Sequence, residues 1–227
     1  MATREDERAA KAISRRIRAQ PGGTVAGFRA LRRVLSRELR QAPARPVIEI
    51  AVVLSQEPRP WHRFVAYELV RHHPAAPGRL GPGSVVRLGR GMAAWEEVDC
   101  FAPYVSGPAW REGRIPTRLV HQWARSPDRW WRRAALVSTV PLNLAAHGGS
   151  GDAPRTLAVC RILEADRDPM VVKALSWALR VLARREPAAV RAFLESRGER
   201  LAALVRREVR NKLETGLKNP RKRRAVR

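Results

Sequence analysis

The sequence predicts an all-α protein, and three observations carry that expectation. Nearly every segment places its apolar residues at helical spacing, no segment alternates cleanly over the length of a strand, and proline recurs where helices should begin. Residues 4–19 read as a charged opening helix ended by Pro21-Gly22-Gly23. Phe28, Leu31, Val34, Leu35 and Leu39 then mark one face of a very basic second helix, broken by Pro43 and Pro46. The run 47–54, VIEIAVVL, has the composition of a strand, but no partner strand follows it, so it too reads as a helix.

Beyond it the punctuation becomes regular. Pro60 precedes WHRFVAYELV, Pro127 precedes DRWWRRAALV, Pro169 precedes MVVKALSWALRVL and Pro187 precedes AAVRAFL. Proline suits the first turn of a helix because its missing N–H has no helical acceptor there, and Ser126 and Asp168 are placed to act as N-caps. Residues 75–91 form a Gly/Pro-rich connection with room for one short helix, and HGGSGD at 147–152 is a second loop. A last helix is expected from 201 to 217, closed by Pro220.

SPDRWWRRAALV at 126–137 and DRDPMVVKALSW at 166–177 resemble one another at an offset of 40, or 42 if the prolines are aligned. That period belongs to two-helix solenoid units of the HEAT or armadillo kind. The expected architecture is therefore a right-handed α-solenoid of HEAT-like repeats. It forms a single domain over 1–217, with a concave basic face lined by the second helix of each unit. A basic tail, 218–227, is expected to be disordered.

Charge bounds the partner. The 227 residues carry a formal +24, and the tail accounts for 6 of these, so the body keeps +18. A folded body this basic points to a polyanion, nucleic acid before an acidic protein or a membrane surface. Cys100 and Cys160 are the two cysteines, too far apart in sequence for a zinc spacing and too few for a disulfide framework. The charged start MATREDERAAKA shows no secretory core, and no apolar run reaches the ~18–20 residues that span a bilayer. A soluble protein of the cytoplasm, associated with the nucleoid, is expected. GPGSVV at 81–86 lacks the third glycine of a dinucleotide fingerprint, no phosphate-loop motif occurs, and the five histidines are scattered. No metal, nucleotide or Ser/Cys nucleophile chemistry is therefore expected.

What remains is aromatic. Seven tryptophans outnumber the four phenylalanines. Trp61, Trp110, Trp123, Trp130 and Trp131 read as packing residues. Within MAAWEEVDCF at 92–101, Trp95 and Asp99 stand four apart, one turn apart on the same side of a helix. The pair is either packing with the acid at its rim or a site built to face a positive charge. Arg133 follows Trp95 by 38 positions and Trp177 follows Arg133 by 44, which places the three on second helices of successive units.

AAWEEVDCFAPYVSG, DRWWRRAALV, VVKALSWALR and REVRNKLETGLKNP, in that order, resemble the bacterial HEAT-like-repeat DNA alkylation repair proteins, the AlkD type of DNA glycosylase. The resemblance covers residues 45–220. It implies an active cleft of Trp95, Asp99 and Trp177 as catalytic residues, with Arg133 binding DNA. Ala94-Trp95-Glu96 stands where the family commonly has Asn-Trp-Asp. It further implies a monomer without cofactor or metal that hydrolyses the N-glycosidic bond of N3- or N7-alkylated purines in duplex DNA, without base flipping, and leaves an abasic site. A non-catalytic HEAT-repeat protein that recognises bent or branched DNA is the alternative on the same scaffold.

Overall fold

The structure, a computed structural model, describes residues 2–220. Among these every regular element is helical, and no helix is long and apolar enough to cross a membrane. The expected basic tail lies, from Arg221 onward, outside the described residues. Two compact units divide the chain, Met1–Pro116 and Thr117–Arg227.

In the first unit, α1 (Arg4–Arg18) opens on a capping box. Thr3 accepts from the Asp6 amide, Asp6 accepts from the Thr3 amide, and acids in the first turn and arginines in the last oppose the helix dipole. Thr24 caps α2 (Val25–Glu38) by accepting from the Gly27 amide. The strand-like VIEIAVVL lies inside α3 (Ala44–Ser55). Val47, Ile48, Ile50, Ala51, Val52 and Leu54 are all buried because α3 packs against α1, α4 (Pro60–His72) and α5 (Pro82–Gly89) at once. A helix apolar on most faces is what a position enclosed on several sides requires.

The chain continues through α6 (Trp95–Phe101), a π-helical turn at Ala102–Ser106, and α7 (Gly107–Arg111). α3 touches α1 and α5, while α4 touches α2 and α6, so alternate helices stack in two layers. Trp110, Tyr67 and Phe101 are the largest fully buried side chains.

The second unit comprises α8 (Thr117–Ala124), α9 (Arg129–Val137), α10 (Val140–Asn143), α11 (Ala153–Ile162), α12 (Pro169–Leu182), α13 (Pro187–Arg197) and α14 (Ala203–Thr215). Its layers repeat the scheme: α9 and α14 flank α12, and α8 and α11 pack together behind them. Two boundaries differ from expectation. The cap of α9 is Asp128, which accepts from the Trp130 amide, while Ser126 instead accepts from the Asp128 amide. The last helix stops at Thr215 because Gly216 takes φ +73°, a left-handed conformation that costs glycine little, before Pro220 is reached.

Candidate active site

Helix α6 begins without help from its own cap: Ala94 offers no side-chain acceptor. Glu97, in the first turn, reaches back instead and accepts from the Ala93 amide at 2.7 Å. The same carboxylate meets the Arg63 guanidinium of α4 at 3.4 Å, with both side chains nearly buried. Arg63 also donates to the Arg90 carbonyl at 2.9 Å and to the Tyr67 hydroxyl at 3.3 Å. Tyr67 in turn donates to the Leu88 carbonyl at 3.0 Å. Burial raises the Tyr67 phenol well above its ordinary range, so it stays a donor at any ordinary pH. Gly91, at φ +73°, lies so close that a Cβ there would come within 3.1 Å of Arg63.

One buried arginine thus ties residues 88–93 and the first turn of α6 to α4. Removing one partner of such a pair strands a buried charge, so the arrangement specifies where α6 starts. Beyond Phe101 the helix widens to π geometry where Pro103, which has no N–H to donate, enters the turn.

On this short clamped helix Trp95 is the first residue and is 49 % exposed. An indole left half in water is unusual for so large an apolar surface. Asp99, one turn further on, is half-buried. Its neighbour Cys100 is pushed up to about 11, first by burial and then by the Asp99 and Glu68 carboxylates, with Arg29 opposing. Cys100 is therefore a thiol and no nucleophile at neutral pH.

Glu68 of α4, 2 % exposed, holds Arg32 of α2 at 3.2 Å and Arg29 at 3.8 Å. Sequence reasoning missed the roles of Glu68, Arg29, Arg32 and Arg63. A lone acid within the otherwise uncharged run FVAYELV at 64–70 is the one signal that pointed to a buried ion pair.

The other two expected residues belong to the second unit. Arg133 of α9 is buried and donates to the Met170 carbonyl, in the first turn of α12, at 2.6 Å. Arg132 points differently: it pairs with Asp166 at 2.7 Å and donates to the Ser126 and Pro127 carbonyls. Trp177 lies half-buried on α12, the helix that packs on α9. Beside it Ser176 donates to Glu208 of α14 at 2.6 Å, and Arg180 stands 3.6 Å from the same carboxylate. Trp95 and Asp99 therefore share one helix, and Arg133 and Trp177 sit on two helices in contact.

Of the tryptophans read as packing, Trp110 and Trp123 are buried. Trp61 stacks on Phe28 with ring centroids 4.3 Å apart, and Trp131 lies against Trp123 at 5.0 Å. Trp130 lies under the Arg129 guanidinium at 4.9 Å. Among the described residues no group of three or more His, Cys, Asp or Glu is placed to hold a metal ion.

Together these features define a strongly basic, all-helical protein that presents an open indole and a carboxylate on one helix. Over residues 3–213 the sequence matches the model of the DNA alkylation repair enzyme family, and the chain belongs to that family. No curated protein and no solved structure gives a significant match.

Proposed function

We propose that this protein is a DNA glycosylase that hydrolyses the N-glycosidic bond of N3- and N7-alkylated purines in duplex DNA and leaves an abasic site. Membership of an alkylation repair family supports DNA as the substrate. The observation that carries the glycosylase reading is the exposed Trp95, with Asp99 one turn along a helix that a buried arginine fixes. The layered helix pairs within each unit support reading them as HEAT-like repeats.

Alkylation at N3 or N7 places a positive charge on the purine and makes it a good leaving group. As the bond to C1′ breaks, positive charge develops on the deoxyribose, and the catalyst must stabilise that charge and deliver water. The Asp99 carboxylate supplies the larger electrostatic share and accepts a proton from the attacking water. The indole face of Trp95 stabilises the cationic sugar by about 0.5–2 kcal/mol, and Trp177 is carried over from the family resemblance as the second catalytic tryptophan. Arg133, anchored on the Met170 carbonyl, is assigned a backbone phosphate. In this scheme the enzyme touches sugar, water and phosphate, so bond cleavage does not require the base to leave the stack, and no cofactor takes part.

Incubating the protein with methylated duplex DNA and chromatographing the released bases tests the proposal. Wild type is expected to release 3-methyladenine and 7-methylguanine, and Asp99→Asn to fall to background while still binding duplex. Equal, background-level release by both proteins, with duplex binding intact, would make the chain a non-catalytic DNA-binding member of the family.

A further inference from the structure

A cleft of about 330 Å³ opens in the second unit between α11 and α13. The packing explains it. α8 and α11 pack closely, whereas α11 and α13 barely touch, although α12 packs on both. Ala189 and Ala192, on the flank of α13, are too small to fill the gap. The floor is apolar, formed by Leu157 of α11 and Phe193 of α13.

Every charge in the lining is positive, with Arg161 on the α11 wall and Arg197 on the α13 wall. Arg161 is exposed, and among the described residues no acid pairs with it. Arg197 lies 3.5 Å from the buried Glu164, which also holds Arg200 at 3.0 Å. Two guanidinium groups thus share one carboxylate, and positive charge is left over at that wall. The high net charge of the chain does not dictate this pattern. The cleft at α3 and α5 has Glu49 in its lining, and the one at α6 has Glu96 and Glu97. Glu195 is on α13 too, but with Glu214 it lines the cleft toward α14 instead.

An occupant must suit an apolar floor between cationic walls. An acidic peptide segment with one aromatic side chain does: the ring enters the gap, and its carboxylates meet Arg161 and Arg197. A duplex does not, because its backbone offers phosphates but no side group to fill the gap. The cleft also lies apart from Arg133 and Trp177, which stand on α9 and α12, in front of the layer that holds α11.

We propose that the cleft between α11 and α13 is a docking site for an acidic segment of a partner protein, anchored by one aromatic side chain. A partner seated there leaves α9 and α12 open, so it tethers the protein without competing for DNA. Docking of this kind does not depend on the reaction assigned above.

The test is fluorescence anisotropy of the intact protein with a labelled peptide, Asp-Asp-Phe-Asp-Asp, at about 0.15 M salt, where loose charge attraction is screened. Replacing the central phenylalanine by alanine should weaken binding about tenfold, as expected for a ring that is buried in part. Arg161→Glu, an exposed substitution, should also weaken binding about tenfold by reversing one wall charge. Arg191→Glu makes the same reversal on the α14 side of α13 and should leave binding unchanged. Ala192→Trp, which fills the gap, should erase the preference for phenylalanine, with the circular dichroism spectrum unchanged. Saturating unmodified duplex should leave the peptide bound. Equal binding of the two peptides, equal losses in Arg161→Glu and Arg191→Glu, or displacement by duplex would each overturn the proposal. Absence of base excision in a protein that still binds the peptide would count against the glycosylase assignment alone.

Discussion

Helices α6 and α12 carry Trp95 and Trp177, the two tryptophans proposed as catalytic, and they are built in opposite ways. α12 is long, amphipathic and self-sufficient. Pro169 opens it, Asp168 caps it by accepting from the Met170 amide, and its apolar stripe from Val171 to Leu182 is buried between α9, α11 and α14. α6 is short, lacks a side-chain cap and runs into a π turn, and its start is fixed from outside by Arg63 of α4. Trp177 is accordingly half-buried, whereas Trp95 stands open. A long helix holds its residues through its own packing. A short one can present a large indole to solvent only if another element holds it in place.

The largest expected effect breaks the comparison at its weak side. Arg63→Met leaves Glu97 buried without its partner and should cost about 3–5 kcal/mol. Thermal unfolding measures the cost, and amide exchange should rise across residues 88–101 and stay unchanged in α12. If exchange rises equally in both helices, α6 does not depend on the clamp in the manner described. Arg63→Lys, which keeps the charge but not the fork of donors, should restore part of the stability.

A second effect is chemical. With its thiol raised to about 11, Cys100 should alkylate with iodoacetamide about a hundredfold more slowly near pH 8 than an ordinary cysteine. Raising the pKa removes thiolate at any pH below it, so the rate should keep climbing past pH 9, where a normal thiol levels off. Peptide mapping of the modified residue gives the profile, and an early plateau would contradict the assigned environment.

The smallest effects sharpen the comparison. Asp168→Ala should destabilise α12 by about 1 kcal/mol, the usual worth of a cap. Ala94→Asp gives α6 the cap it lacks and should stabilise it by about 0.5–1 kcal/mol, seen as slower amide exchange in its first turn. No gain from Ala94→Asp would mean that Glu97 already satisfies that end.

This contrast also explains what was legible in the sequence. α12 could be read directly, since its cap, its opening proline and its apolar spacing are adjacent in the chain. The helical state of 47–54 was legible too, through the missing partner strand, although the reason lies in α1, α4 and α5 closing around it. The pairing of Trp95 with Asp99 on one helix followed from their spacing. Their support did not, because Arg63, Tyr67 and Glu97 are brought together only by the fold. The π turn had no counterpart in the sequence reading: the structure carries Pro103 and Pro108 within a continuous helical run. Buried Glu68 with Arg29 and Arg32 left a faint trace in the sequence, a lone acid among apolar residues.

Single-turnover excision of 7-methylguanine from duplex DNA, by wild type and Asp99→Asn at saturating protein, tests the catalytic role of α6 most directly. Removing the charge proposed to stabilise the cationic sugar should slow release by about a hundredfold or more. The dissociation constant for the duplex should change little, because phosphate contacts dominate affinity. Equal rates for the two proteins, or a loss accounted for wholly by weaker DNA binding, would contradict the assignment.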